Sequence, residues 1–355
     1  MNKVCEELRS EHLEIKGNLF AIAGNLWALE KGKRYHQEDL NRIWTSDKTQ
    51  ALEQGTFEPK NEDEKEQQDI FLTISDILRN DTGPFYFFDL HTTSSDSVPF
   101  LPVNDSLLNR KFTQQYPVPM VLGIEEYLDG PLLSYINEKG YVSFGFEAGQ
   151  HDDMASIENH MAFAYVSMVF TGALSNTAVD FERYYCQLEK AAASTKAIYE
   201  IYFRYAVKPN EQFGMQPGYK NFQQIEKGQA LVESNGQPIV AIHTAYVFMP
   251  LYQSQGDDGF FAIRKIRPIF LQLSTLCRLW RLDRLLPLLP GVTWASSKKD
   301  SLIVNRKIAR FFTKQLLHLL GYRSKKMDKT HLIIKNRERA SRTHEYNIAA
   351  WMNAK

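Results

Sequence analysis

The chain has 355 residues, with 42 Lys and Arg against 42 Asp and Glu, and is long enough for two domains and a tail around a buried core. No apolar run reaches the roughly 18 residues of a membrane span and no signal segment opens the chain, so no transmembrane helix is expected and the cytoplasm is the expected location. Three isolated cysteines, Cys5, Cys186 and Cys277, argue against a disulfide framework and a cysteine-based metal site.

The N-terminal part of the chain begins with a short helix. Apolar residues at helical spacing predict that helix over residues 1–8, and residues 13–25 have the pattern of a strand between two turns. The block 32–42 follows, with the sequence Gly-Lys-Arg-Tyr-His-Gln-Glu-Asp-Leu-Asn-Arg. Residues 45–68 are rich in Glu, Lys, Gln and Thr and are predicted to form an exposed loop.

Strands and helices then alternate along the chain. Helices are predicted over residues 69–79, 105–115, 132–139 and 156–171, and strands over residues 85–90, 120–124 and 141–147. Alternation of this kind predicts an α/β fold with a mostly parallel, mixed sheet flanked by helices. Candidate site residues are expected at the ends of its strands.

The strand over residues 85–90 has the strongest signal for a site. Its run of aromatic residues is followed by Asp89, Leu90 and His91, and then by Thr92 and Thr93. An apolar run of this length is typical of a central parallel strand, and ligands collect where such strands end. A histidine there is by itself more often a hydrogen-bonded core residue, so the other motifs decide whether it binds a metal.

The C-terminal half has a different pattern. Short strands separated by glycines over residues 196–267 predict a small all-β domain. Residues 269–289 predict a basic amphipathic helix broken by prolines, and residues 300–320 a second helix. The expected domains are therefore residues 1–195, residues 196–267, and a basic helical extension over residues 268–355.

Charge is divided unevenly along the chain. From Arg264 onward there are 21 Lys and Arg against 5 Asp and Glu, so an acidic body carries a basic C-terminal segment. Such a segment binds nucleic acid, lies on an anionic membrane face, or docks on its own body. Docking or plain solvation is the favoured interpretation, and no nucleic-acid partner is expected, because the aromatic residues are not interleaved with the charges.

Three motifs occur in a fixed order. They are Arg34 with Asp39-Leu40-Asn41-Arg42, then Asp89-Leu90-His91, then Gly145-Phe146-Glu147-Ala148-Gly149. Together they resemble the aspartoacylase and succinylglutamate desuccinylase family, a branch of the zinc carboxypeptidase-like fold. The resemblance implies the following roles: Arg34 polarises the scissile carbonyl, Asn41 and Arg42 hold a substrate carboxylate, His91 binds zinc, and Glu147 is the general base.

These residue types suit the hydrolysis of an N-acyl amino acid. Guanidinium groups bind carboxylates bidentately, a metal activates water, and a carboxylate relays the proton. Thr92 and Tyr252 are further candidates for substrate contact, and Asp89 is a candidate for orienting His91. The expected function is therefore a zinc-dependent hydrolase that deacylates an N-acyl amino acid or a related small amide or ester.

One part of the family pattern is missing. The other two zinc ligands of the family come from a His-x-x-Glu motif before the arginine, and residues 1–32 contain none, because His12 is followed by Leu13, Glu14 and Ile15. Either the start codon is placed too late, which is the favoured explanation, or the chain is a truncated homologue with at most one zinc ligand. Since a catalytic zinc normally has three protein ligands, zinc binding by this chain alone is expected to be weak or absent.

Two alternatives stay open beside the hydrolase. The first is a catalytically silent homologue that binds small carboxylates in the same cationic cleft. The second is a module held on a membrane or a nucleic acid by the basic C-terminal segment. A homo-oligomer formed through that segment is also open.

Overall fold

The computed structural model describes residues 1–253, 255–297, 299–305, 307–309, 314–326 and 331–353. Its helices are α1 (Asn2–Ser10), α2 (Leu26–Glu30), α3 (Ser46–Gln54), α4 (Glu62–Asn80), α5 (Leu107–Thr113), α6 (Leu132–Glu138), α7 (Met154–Thr171), α8 (Phe181–Ala191), α9 (Pro268–Leu279), α10 (Lys314–Leu319) and α11 (Ala350–Asn353). Its strands are β1 (Tyr86–Thr93), β2 (Leu101–Val103), β3 (Met120–Leu122), β4 (Val142–Gln150), β5 (Ile198–Ala206), β6 (Phe213–Met215), β7 (Gln224–Ile225), β8 (Ala230–Ser234), β9 (Gln237–Val240), β10 (Ala245–Phe248), β11 (Asp258–Lys265), β12 (Val292–Trp294), β13 (Ser301–Asn305), β14 (Tyr322–Lys326) and β15 (His331–Asn336).

The main sheet has eight strands in the order β1-β4-β2-β3-β5-β11-β10-β7. The pairs β1–β4, β2–β3 and β3–β5 are parallel, and the pairs β5–β11, β11–β10 and β10–β7 are antiparallel. Two smaller sheets have the orders β12-β13-β15-β14 and β6-β8-β9. The predicted α/β fold with a mixed sheet flanked by helices is confirmed. No helix in the described part of the chain is long and apolar enough to cross a membrane.

Aromatic side chains build the core next to the first strands of the sheet. Phe144 and Phe146 of β4 are fully buried, and Phe146 stacks on Phe163 of α7 with ring centroids 4.1 Å apart. Tyr86 and Phe88 of β1 pack against the same cluster. Because each aromatic ring buries a large apolar area, roughly 150–250 Å², this core fixes β1 and β4 side by side. The polar residues at their ends are therefore held on a rigid support.

The C-terminal residues return to this core. Tyr346 is fully buried, its hydroxyl donates to the carbonyl oxygen of Phe85, and it accepts from the backbone N–H of Val142. Trp351 packs in the same cluster and its indole N–H donates to the hydroxyl of Tyr86. The end of the chain therefore closes over the start of β1.

Two expectations about the N-terminal part are wrong. The strand β1 was expected to be central, but it lies at the end of the main sheet among the described strands. Residues 17–25 were expected to contain a strand, but they form no ladder, and Leu19, Phe20 and Ile22 are exposed. Apolar alternation predicts a strand only where a partner strand is available, and these residues have none in the described part of the fold.

The expected exposed loop over residues 45–68 is also wrong. This segment contains α3 and the start of α4, and Asp63, Glu64 and Gln67 in the first turns of α4 are buried. Acidic residues are favourable at a helix N-terminus, where free N–H groups and the helix dipole stabilise them. These acidic residues therefore indicate the start of a helix whose first turns pack against the rest of the protein.

The C-terminal half also departs from the sequence prediction. Residues 301–305 form β13 and not the start of a helix, since Leu302 and Val304 alternate into the core of a four-stranded sheet. Within residues 196–267, strands β5, β7, β10 and β11 extend the main sheet, whereas β6, β8 and β9 form a sheet of their own. The domain boundaries stay predictions.

For the basic segment the sequence favours docking on the body or plain solvation, and the structure shows docking contacts for several of its cations. The fully buried guanidinium of Arg278 lies 2.8 Å from Asp105 and 3.0 Å from Glu338, while Lys335 lies 3.3 Å from Glu138. A buried charge is tolerated only when it is paired. The C-terminal sheet is therefore attached to the α/β body by ion pairs.

Candidate active site

His91 and Glu147 lie opposite each other at the ends of two neighbouring strands. The parallel pair β1–β4 places His91 in register with Glu147, and the register shifts just after His91. Glu147 is fixed further by Phe100, because the backbone N–H and carbonyl of each residue bond the other at 3.0 Å. Side chains in register on adjacent strands share one face of the sheet. The structure therefore brings together the two residues that the sequence placed 56 positions apart.

Glu147 is a buried carboxylate without a full set of hydrogen bonds. The residue is 6% exposed, and its Oε2 atom has no hydrogen-bond partner among the described residues. Burial raises the pKa of Glu147 to about 7, although the nearby charge of His91 opposes that shift. A buried carboxyl that gains and loses a proton near neutral pH suits general acid and base chemistry.

His91 is paired with Asp89 on the same strand. The Nε2 atom of His91 lies 2.9 Å from Oδ1 of Asp89, and the charge of Asp89 raises the pKa of His91 to about 9. Burial alone would raise the pKa of Asp89, but His91 and a hydrogen bond from Asn41 lower it. The expectation that Asp89 orients His91 is consistent with this geometry. Each group therefore stabilises the charged form of the other.

Asn41 connects this pair to the preceding loop. Its Nδ2 donates to Asp89 Oδ2 at 3.4 Å, and its Oδ1 accepts from the backbone N–H of Leu132 at 3.0 Å. Both ends of the amide are therefore engaged within the protein. The predicted contact of Asn41 with a substrate stays a prediction.

One carboxylate shapes the loop that carries the predicted cations. Asp63 accepts from the backbone N–H groups of His36, Gln37 and Glu38 at 2.7–3.0 Å and from Asn25 Nδ2 at 2.7 Å. Burial alone would raise the pKa of Asp63, but these donors lower it. An arrangement with three backbone donors on one carboxylate fixes the loop conformation. Asp63 lies in the segment that the sequence assigned to an exposed loop.

Arg34 is at the open side of the site. Its Nε and Nη2 atoms lie 2.9 and 2.8 Å from Asp39 Oδ2, and its side chain is 40% exposed. It is close enough to His91 and Glu147 for its charge to act on both. The structure therefore groups Arg34 with the two strand residues, as the motif order predicts.

Arg42 is held by an acidic residue of the main sheet. Its Nη2 lies 2.9 Å from Oδ2 of Asp258 on β11, whose Oδ1 lies 2.5 Å from Nε of Arg204 on β5. Two guanidinium groups therefore converge on one carboxylate. Gly130 allows this loop to pass closely, because a Cβ atom there would lie 2.1 Å from the carbonyl oxygen of Arg42. No sequence motif identified Asp258 or Arg204 as a partner of Arg42.

Thr92 and Tyr252 lie at the rim of the site. Thr92 Oγ1 and Nδ1 of His151 are 2.7 Å apart, and Nε2 of His151 is 3.0 Å from Oε1 of Gln253. The Tyr252 hydroxyl donates to the carbonyl oxygen of Gln216 at 2.7 Å, and the backbone N–H of Tyr252 donates to Ser94 Oγ at 3.2 Å. These contacts join the loop after β10 to the end of β1. Substrate contact by Thr92 or Tyr252 stays a prediction.

The zinc implied by the resemblance can be compared with the side chains present. A catalytic zinc normally has three protein ligands, and no group of three or more His, Cys, Asp or Glu side chains that could hold a metal is found among the described residues. The Nε2 atom of His91 faces Asp89. The described residues therefore do not fit a zinc site, and the predicted role of His91 as a ligand is left without partner ligands.

Comparisons with known proteins support the fold. No family model and no curated protein matches the sequence. The structure is similar to succinylglutamate desuccinylase from Vibrio cholerae, with a TM-score of 0.52 and 12% identity over 75% of this chain and 76% of that chain. Succinylglutamate desuccinylase from Vibrio parahaemolyticus has a TM-score of 0.49 and 11% identity over 75% and 76%. Murine aminoacylase 3 has a TM-score of 0.44 and 14% identity over 75% and 90%.

The first of these similarities decides the fold. This chain has the fold of succinylglutamate desuccinylase. The resemblance that three short motifs suggested is thereby confirmed as a likeness of fold, at an identity too low to carry the activity across. The roles of the individual site residues stay predictions.

Proposed function

We propose that the protein is a hydrolase that deacylates an N-acyl amino acid or a related small amide or ester. The observation that carries this proposal is the carboxylate of Glu147, which is buried beside His91 with Oε2 lacking a hydrogen-bond partner among the described residues. A buried carboxylate without partners is costly in a purely structural role. Proton transfer to and from a substrate gives it a function.

In the proposed reaction, Glu147 moves one proton. Its carboxylate takes the proton from a water molecule while the water oxygen attacks the acyl carbon, and it then gives the proton to the leaving nitrogen as the C–N bond breaks. The immediate products are a carboxylic acid and an amine, and at neutral pH the acid ionises as the amine takes up a proton. Arg34 and the imidazolium of His91 stabilise the negative charge that develops on the carbonyl oxygen. No step is assigned to zinc, because the described residues do not supply its ligands.

Arg42 and Asn41 would hold the carboxylate of the amino acid. A guanidinium binds a carboxylate through two parallel hydrogen bonds. Because Arg42 is already paired with Asp258, a substrate carboxylate must displace or share that partner. This requirement favours small substrates with a well-placed anionic group.

The test compares Glu147→Gln with the wild-type chain. N-acetyl and N-succinyl amino acids are incubated with each protein, with and without added Zn²⁺, and the released amine is quantified. We expect wild-type turnover to fall by about 10²–10⁴-fold in the variant, the usual contribution of a general base. Glu158→Gln, on the exposed face of α7, is the matched control and should keep full activity.

The second candidate function is binding of small carboxylates without turnover. The described residues lack two of the three family zinc ligands but retain the cations of the cleft, which favours this function. Calorimetry with the same N-acyl amino acids separates the two. Binding without amine release under either metal condition would replace the hydrolase by the binding protein, and neither binding nor release would overturn both.

A further inference from the structure

Helix α9 has its apolar side facing outwards. Ile269, Leu273, Leu276 and Trp280 follow each other at spacings of four, three and four residues, which places them on one face of the helix. All four are exposed, with Ile269 at 66% and Trp280 at 70%. The stripe extends about 16 Å at 1.5 Å per residue.

The inward side of the same helix is partly polar. Ser274 and Arg278 are buried, and Arg278 is bound to Asp105 of the body. The hydroxyl of Ser274 donates to the carbonyl oxygen of Leu319. Cys277 is also buried and Leu271 packs against the core, so this helix has apolar side chains inside as well as outside, whereas the outer side of an ordinary surface helix is polar. Burial against the described residues does not explain the outer stripe.

The segment after α9 continues the exposed apolar surface. A 3-10 helix, Leu282–Leu288, follows α9. Its residues Leu285 and Leu288 are exposed, with Leu288 at 80%, and so is Leu289 directly after it. Exposed apolar residues concentrated in this way in one stretch of the chain are typical of an interaction site.

Cations border this apolar surface. Lys265, Arg267, Arg281 and Arg284 are exposed and form no ion pair with any described residue. The sole acidic residue of segment 264–297 is Asp283, which is buried and bonded to Arg339. The surface therefore combines apolar side chains with uncompensated positive charge.

We propose that this outer face of α9 and residues 280–289 binds the surface of an anionic lipid bilayer. Leu, Phe and Trp side chains that enter the boundary between headgroups and acyl chains, together with Lys and Arg that face the headgroups, are what such a surface recognises. A second copy of this chain fits less well, because a two-fold contact would bring the same four cations together without a carboxylate. A nucleic acid would leave the apolar stripe unexplained.

The test is sedimentation of the full chain with vesicles. One set contains phosphatidylcholine alone, and the other contains phosphatidylcholine and phosphatidylglycerol in equal parts. We expect the protein to sediment with the anionic vesicles and to remain in solution with the neutral ones. Because cations near an anionic surface strengthen binding, reversing two of them in Arg281→Glu with Arg284→Glu should weaken binding by at least about tenfold.

Two variants separate the apolar contribution from a general loss of fold. Leu273→Ser with Trp280→Ser should abolish sedimentation, whereas Leu72→Ser, at another exposed leucine on α4, should leave it unchanged. Lys190→Glu with Lys196→Glu is the matched control for charge, since both lysines are exposed elsewhere. Circular dichroism confirms that each variant is folded.

Two results would overturn the proposal. One is sedimentation that is equal for both vesicle types or absent for both. The other is a molar mass by light scattering of twice the chain mass that returns to one chain in Leu273→Ser with Trp280→Ser, because the occupant of the surface would then be a second copy. Hydrolytic activity is measured in the same samples, so that loss of membrane binding and loss of the proposed function are distinguished.

Discussion

Two buried carboxylates of this protein, Asp63 and Glu147, differ in their hydrogen bonds and in the direction of their pKa shifts. Asp63, at the start of α4, has no exposed surface and accepts four hydrogen bonds. Glu147, at the end of β4, is almost as deeply buried, yet its Oε2 has no hydrogen-bond partner among the described residues. The donors lower the pKa of Asp63, while burial raises the pKa of Glu147 to about 7.

The difference separates a structural role from a chemical one. A carboxylate that accepts several N–H bonds is stabilised in its charged form and stays ionised at neutral pH. A carboxylate that is buried without donors is poised between its two forms and can exchange a proton with a bound molecule. We interpret Asp63 as the support of the loop 34–42 and Glu147 as the reactive group that this loop faces.

The largest expected effect comes from removing the structural carboxylate. Asp63→Ala leaves three partly buried backbone N–H groups and the amide of Asn25 without their acceptor, so the free energy of unfolding should fall by about 4 kcal/mol, at about 1 kcal/mol for each of the four donors. Urea denaturation measures the change. Asp69→Ala, exposed on the same helix, should change stability by less than about 0.5 kcal/mol. Equal effects of the two substitutions would contradict the assigned role of Asp63.

The sequence predicted the position of Glu147 better than that of Asp63. Strand ends and motif order identified His91 and Glu147, because hydrophobic periodicity and short motifs are local signals. Asp63 was assigned to an exposed loop, since its acidic neighbours resemble solvent-exposed residues. The local pattern does not show which groups of the folded protein will contact the first turn of a helix.

Long-range contacts escaped prediction for the same reason. Arg42 and Asp258 are separated by 216 positions, and neither residue has a neighbourhood that points to the other. The edge position of β1 depends on which strands are present to pair with it, while an apolar run has the same composition in a central strand as at this edge. The sequence predicted α9 as amphipathic, but the outward direction of its exposed apolar stripe follows from the buried pair of Arg278 with Asp105.

The second prediction concerns the pH dependence that Glu147 gives to stability. Because its pKa is raised in the folded protein, the folded state holds a proton that the unfolded chain releases, and stability falls as the pH rises from about 4.5 through about 7. Glu147→Gln removes this loss. We expect the variant to be more stable than the wild-type protein at pH 8 by up to about 3 kcal/mol and nearly equal to it at pH 4.

Urea denaturation at the two pH values checks this difference. Glu158→Gln, the exposed control, should show the same pH dependence as the wild-type protein. Asp63 contributes with the opposite sign, because its pKa is lowered and its stabilisation is lost as the pH falls. A Glu147→Gln variant that is less stable than the wild-type protein at pH 8 would show that the carboxylate is structurally satisfied and would end the contrast with Asp63.

The smallest expected effect tests a third carboxylate, Asp258, which occupies Arg42 and Arg204 in the structure. Asp258→Asn removes the charge that competes with a bound carboxylate, so the affinity for succinate should rise about fivefold, or roughly 1 kcal/mol, in a calorimetric titration. Asp257→Asn is the matched control, because it removes the same charge from the adjacent exposed position. An equal gain in succinate affinity in both variants would mean that the effect comes from the change in net charge and not from the release of Arg42. Weaker binding in Asp258→Asn alone would mean that Asp258 positions Arg42 for its ligand, since an arginine whose fork is not held in place loses the bidentate geometry that carboxylate binding requires.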